Sequence, residues 1–173
     1  MIQTKDEIVT GLIESFGAMS EYIRTLDQSQ FENAQPSKWS AGQQVQHLIK
    51  SVRPINWVLY LPVWIIKPVF GKMNRAPRDY DALLKKYHDK LSLGGTASSP
   101  FVPSAIPFEQ KEKLVLEFNS QLQTLCKHLN KMSDKTLDSL ILPHPLLGKL
   151  CLREMMYFTI FHTLHHLKSI KER

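Results

Sequence analysis

From residue 4 to about residue 28, apolar side chains recur every three or four positions: Ile8, Leu12, Ile13, Phe16, Met19, Ile23 and Leu26, with polar residues between them. That spacing puts the apolar set on one face of an amphipathic helix. Gln35-Pro36-Ser37-Lys38-Trp39 reads as a loop, after which Ser40 opens a second helix. Its start has the form of a capping box, in which Ser40 and Gln43 each accept from the other's free backbone N–H. The pattern predicts this helix to about Arg53, where Pro54 kinks or ends it. Asp79 or Asp81 caps a shorter helix through Leu83, Leu84, Tyr87 and Leu91. The stretch from Leu93 to Pro107, with Gly94, Gly95 and Ser98-Ser99-Pro100, predicts a long loop of the kind that is functional or mobile. A third long helix follows from about Pro107 to Lys131, with Phe108, Leu114, Leu116, Phe118, Leu122, Leu125 and Leu129 as its apolar set. Pro143-His144-Pro145 and Gly148 break the chain, and a last helix spans about Cys151 to Lys171. The expectation is an all-α four-helix bundle with an extra short helix, a long loop and almost no strand.

The last helix is apolar almost all the way round, from Met155, Met156, Tyr157 and Phe158 to Leu164, Leu167 and Ile170. A helix of that kind is buried on most sides. Into it the sequence places His162, His165 and His166. Residues four apart share a helix face, so His162 and His166 can present two imidazoles to one metal ion. The other reading is a set of hydrogen-bonded core and surface histidines, although burying neutral imidazoles costs free energy unless each finds a partner. A third ligand has to come from another helix. His47, at the border of the second helix's apolar stripe beside Gln43, Gln44 and Ser51, is the best placed. His88 and His128 lie on charged helices and read as exposed, while His144 lines a site entrance or fills a turn.

Composition narrows the functional classes. The 173 residues suit one domain over 1–173, 43% hydrophobic and 22% charged, without the glycine motifs of nucleotide-binding loops. Twenty-two Lys and Arg against sixteen Asp and Glu give +6, but without any run of five or more basic residues. We therefore expect a solvated positive surface and no nucleic-acid partner. Cys126 and Cys151 form no disulfide framework, and the N-terminus lacks the apolar core of a signal peptide. Pro54–Phe70 is the one membrane-like segment, yet its 17 residues include three prolines and Lys67. A spanning helix needs about 20 apolar residues. The segment is expected to form an apolar lip over a pocket, in a cytoplasmic protein without stable membrane association.

Trp39-Ser40 at a helix start, His47 eight residues after the tryptophan, His144-Pro145-Leu146-Leu147-Gly148, and His162-x-x-His165-His166-Leu167 together resemble the DinB/YfiT-like superfamily over about residues 36–170. The resemblance implies a four-helix bundle of up-down-down-up type. It also implies a divalent metal, zinc or nickel, held by His47, His162 and His166. Characterised members of the family include thiol-dependent S-transferases, a mycothiol-dependent maleylpyruvate isomerase and a domain of an ergothioneine-synthesis enzyme. The bulky Pro54–Phe70 stretch and the Gly94–Pro107 insertion depart from the family's pattern.

Three neutral histidines leave a divalent ion with an open position, the arrangement of a catalytic site. Such an ion makes hydroxide or thiolate available near neutral pH. Gln43, Gln44 and His165 are candidates for orienting the imidazoles. Cys151, where the last helix begins, has a position that could lower its thiol pKa. The leading expectation is a metal-dependent enzyme acting on a small-molecule substrate, as a transferase using a low-molecular-weight thiol or as a hydrolase. The alternatives are a non-catalytic metal- or small-molecule-binding stress protein, such as a homodimer, and a membrane-associated protein anchored by Trp57–Phe70.

Overall fold

Most helix starts are built from the short polar side chains that the sequence places there. In the computed structural model, which describes residues 4–35, 38–71, 73 and 75–172, Thr4 and Glu7 form a capping box at the start of α1 (Lys5–Thr25). Asp27 and Gln30 do the same for α2 (Gln28–Glu32), and Ser40 and Gln43 for α3 (Ala41–Leu59). Short α4 (Val63–Phe70) follows, then α5 (Tyr80–Ser92), capped by Asp79. A 3-10 turn at Phe108–Gln110 leads into α6 (Lys111–Asn130). Ser133 caps α7 (Asp134–Ser139), and α8 (Leu152–Lys171) closes the chain.

The four long helices α1, α3, α6 and α8 form the bundle, and their side-chain contacts fix its directions. Lys5 at the start of α1 reaches the Met132 carbonyl beyond the end of α6, while Arg24 near its end pairs with Glu112. These two helices are therefore antiparallel. Along α3, Arg53 meets Glu117 and Asn56 donates to Gln121, so α3 and α6 run parallel. Lys171 lies over the Tyr22 ring, which makes α8 parallel to α1. Gln44 meets His166 and His47 meets His162, which makes α8 antiparallel to α3. The result is up-down-down-up. The core runs down the axis through Ile8, Leu12, Phe16, Val45, Leu48, Phe118 and Leu125, with Phe16 and Phe118 stacked at 4.2 Å between centroids.

The structure corrects several boundaries. The first helix stops at Thr25, and the residues after it form α2. Pro54 does not end α3, which continues to Leu59. An interior proline costs ~3 kcal/mol, but Ile55, Asn56 and Leu59 beyond it are buried, and Asn56 is anchored to Gln121. The expectation of almost no strand misses a hairpin, β1 (Ile141–His144) with β2 (Gly148–Cys151), paired antiparallel from Ile141↔Cys151 to His144↔Gly148. Gly148, at φ +78°, takes the left-handed conformation at the turn. Four-residue strands containing Pro143 are too short to show alternation. The Leu93–Pro107 segment contains one 3-10 turn, Ser99–Phe101, and is tied to α3: Lys50 donates to the Val102 carbonyl, and Ser104 to Gln46. Among the described residues, no helix is long and apolar enough to cross a membrane.

The start of α8 is fixed by a carboxylate with no exposed surface. Glu154 accepts from both terminal nitrogens of Arg75 at 2.7 and 2.9 Å, and from the backbone N–H of Arg78 and Cys151 at 2.8 and 3.0 Å. Burial alone would push this carboxyl up, but Arg75 and the two backbone donors outweigh burial and hold it below its ordinary value of 4.5. A depressed carboxyl stabilises the fold above its unfolded-state pKa, and that contribution is lost as pH falls through the folded-state value. Glu154→Ala is expected to cost ~1.5–3 kcal/mol at neutral pH by removing the charged acceptor shared by Arg75 and the backbone N–H groups of Arg78 and Cys151. Denaturant unfolding should show this loss, and a Glu154→Gln chain should show a flatter fall in stability below pH 4.5.

Candidate metal centre

His47 sits two turns into α3, and His162 and His166 sit one turn apart on α8. Because the two helices run antiparallel, the three rings meet. The His162 Nε2 lies 3.2 Å from the His47 Nε2 and 3.0 Å from the His166 Nε2. His47 and His162 are each only 6% exposed.

The outer nitrogens determine what the inner ones can do. The His47 Nδ1–H donates to the Phe101 carbonyl at 2.8 Å, since a carbonyl can only accept. Gln44 turns its amide nitrogen to the Trp39 carbonyl, so its Oε1 faces His166 and accepts from that ring's Nδ1–H at 2.8 Å. In the neutral rings, both Nε2 atoms then carry bare lone pairs directed at the third imidazole. Burial, with His166 and His47 alongside, pushes His162 well below the ordinary imidazole value, and burial also lowers His47. His162 has one proton at most to share between two facing acceptors. The cluster is thus short of positive charge, and a cation is what its donor set fits. The two separations that involve His162, 3.0 and 3.2 Å, are close to the ~3.3 Å tetrahedral edge implied by Zn–N bonds of ~2.0–2.1 Å. Among the described residues, this is the one group of three such side chains whose ligand atoms lie within 4.8 Å of one another.

A pocket of about 520 Å³ opens beside the cluster. Trp39 forms one wall, its ring centroid 4.9 Å from that of His47 and its plane nearly parallel to that of His166. Tyr87 and Phe158 form another, with Phe158 stacked on His162 at 4.7 Å. Gly95–Ser98 and Pro143–Leu146 complete the lining on the loop side, and Lys38 is its ammonium group. His144 does both things expected of it. It lines the pocket, and its Nδ1 accepts from the N–H groups of Leu146 and Leu147, closing the hairpin turn. Burial, reinforced by Lys86, holds its pKa down to about 4.

Other placements differ from expectation. Gln43 serves the cap of α3, exchanging hydrogen bonds with Ser40, and does not orient an imidazole. His165 packs against Phe161 and Tyr87, its ring centroid 5.5 Å from that of His166. His128 is half-buried under Tyr60. Burial pushes Cys151 up to about 11, opposite to the lowering expected at a helix start. Only Pro54 and Ile55 of the Pro54–Phe70 segment line the pocket, so the expected apolar lip is absent. The carbonyl of Phe101 and the ring of Tyr87 were not identified from the sequence. Any residue can supply a carbonyl, and Tyr87 reads as one more apolar position on an amphipathic helix.

The model of the DinB superfamily matches residues 5–170. The chain belongs to the DinB superfamily. No curated protein matches this sequence. Among solved structures, this DinB chain is similar to YfiT from Bacillus subtilis, described as a probable metal-dependent hydrolase with an unusual four-helix bundle topology. The TM-score is 0.61 at 18% identity, over 97% of this chain and 84% of that one. TT2238, a four-helix bundle protein, gives 0.59 at 16% identity over 98% and 100%. The colibactin self-resistance protein ClbS, solved in complex with dsDNA, gives 0.54 at 12% identity over 98% and 94%. That complex overturns the expectation that nucleic acid can be excluded as a partner, since a protein of similar fold is found with a duplex.

Gln44 and Gln43 separate the two roles that neighbouring amides play. Gln44→Ala should weaken zinc binding by roughly 10–100-fold by freeing the His166 ring. Gln43→Ala should leave zinc affinity unchanged and cost about 1 kcal/mol of stability through the lost cap. Competition against a chromophoric chelator, alongside denaturant unfolding, measures both.

Proposed function

We propose that the chain is a divalent-metal-dependent enzyme whose ion, zinc or nickel, is held by His47, His162 and His166. The observation that carries this reading is the convergence of three Nε2 atoms, two of them stripped of hydrogen by outward hydrogen bonds. A bound ion supplies Lewis acidity, acidifying a water or thiol that reaches it so that the nucleophile forms near neutral pH. The protein's own part is positional. Gln44 and the Phe101 carbonyl hold the ring orientations, and burial keeps His162 neutral and ligating.

The favoured reaction is transfer to a low-molecular-weight thiol. The pocket walls are aromatic and aliphatic, from Trp39, Val52, Ile55, Tyr87 and Phe158, and suit an electrophile with an apolar body. Lys38 at their edge suits a carboxylate on either reactant. A thiol, with an unperturbed pKa of about 8.5, needs only modest acidification and less help from a protein base than water does. Hydrolysis is the second reading, favoured by the likeness to a protein described as a probable metal-dependent hydrolase.

Untagged protein, stripped with chelator and reloaded with zinc or nickel, should turn over an electrophilic test substrate with one member of a thiol panel only when loaded. His47→Ala should lose metal as severely as His162→Ala, and His165→Ala should lose less. Equal turnover by stripped and loaded protein, or full metal stoichiometry in all three variants, contradicts the proposal.

A further inference from the structure

The positive charge of the chain is not spread evenly. The 46 residues between Glu32 and Asp79 contain seven lysines and arginines and no carboxylate, and of these Arg53, Arg75 and Arg78 are paired with Glu117 and Glu154 from other elements. The same segment is rich in exposed apolar side chains. Trp57 is 65% exposed, Tyr60 70%, Leu61 47%, Trp64 74% and Val69 68%. These are five of the ten large apolar residues exposed among the described residues, within 13 positions at the end of α3 and along α4. Helix α4 is apolar at every position except Lys67, yet it fully buries only Ile66. Such a surface left in water is unfavourable, and its concentration marks an interaction site.

The surrounding charge selects the occupant. Lys67 is exposed on α4, and Lys149 reaches the carbonyl of Phe70 at its end. Where α6 runs beside the end of α3, with His128 against Tyr60, residues 118–133 include Lys127 and Lys131 and no acid. A second copy would bring the same cations face to face with these. A nucleic acid would satisfy the cations but offer nothing to Leu61 and Val69. We propose that the Trp57–Val69 face docks on an anionic lipid surface, its tryptophans and aliphatic side chains entering the interface while the lysines meet the headgroups. Aromatic side chains favour that depth of a bilayer, and apolar insertion combined with basic charge is the pair of signals that peripheral binding needs. The attachment is peripheral, since no described helix is long and apolar enough to span.

Two of the three tryptophans lie on this face, so their emission reports the contact. The full chain should pellet with vesicles of phosphatidylcholine plus phosphatidylglycerol at least about tenfold more than with phosphatidylcholine alone. Its emission should shift to the blue, and added salt should reverse both effects. Trp64→Ser with Val69→Ser, and separately Lys67→Glu, should each lose most of the binding. Ile13→Ser, on the diagonally placed α1, should not. The substituted residues are exposed, and unchanged far-UV circular dichroism and melting check that the fold is intact. Equal pelleting with both vesicle types, or equal binding by the patch variants and Ile13→Ser, overturns the proposal. So does an absence of vesicle binding in a chain whose patch variants instead lose duplex-DNA binding or self-association.

Discussion

Three imidazole nitrogens facing one another at the wall of one pocket form the constraint around which this molecule is arranged. Neutral rings of this kind have lone pairs in excess of protons once two of them spend their N–H outward. Here the Phe101 carbonyl and the Gln44 amide take those protons. The His162 ring, stacked on Phe158, does not readily restore the balance by taking up a proton, because burial and the neighbouring imidazoles push its pKa well below the ordinary value. The cluster therefore favours a cation through its own hydrogen-bonding arithmetic.

Much of the fold holds that arrangement in register. The antiparallel contact of α3 and α8 sets His47 opposite the His162–His166 turn. The position of α8 along that contact is fixed at its start, where Glu154 ties the helix to Arg75 and to the backbone of Arg78 and Cys151. The hairpin ahead of α8 returns His144 to the pocket, where it packs edge to face on Phe158 of α8 at 4.3 Å. The segment between α5 and α6 delivers the one carbonyl that sets the His47 tautomer, and Lys50 and Gln46 hold that segment against α3. A loop fastened in this way is part of the site.

The helices were readable because their apolar residues recur with the helical period and because Ser40 and Asp79 mark two of their starts. The same period put His162 and His166 on one face. What it could not carry is contact between elements. The Gln43 and Gln44 amides are neighbours in the chain: the cap that uses Gln43 is local and was legible, whereas the contact of Gln44 with His166 depends on how α3 faces α8. The hairpin is too short for alternation to register. The extension of α3 past Pro54 depends on burial of Ile55, Asn56 and Leu59, a tertiary effect that outweighs a local penalty. Cys151 sits at a helix start that would favour its thiolate, but complete burial reverses the direction of the shift. The expectation of no nucleic-acid partner rested on charge counted along the chain, which cannot reveal that a protein of similar fold, ClbS, is found with a duplex.

X-ray absorption spectroscopy of the zinc-loaded, untagged protein tests the central claim most directly. The account predicts nitrogen or oxygen scatterers at ~2.0–2.1 Å, with the outer-shell pattern of three imidazoles and no sulfur at ~2.3 Å. The His162→Ala chain should lose that pattern. A sulfur contribution, fewer than three imidazoles, or the same spectrum from His162→Ala would contradict it.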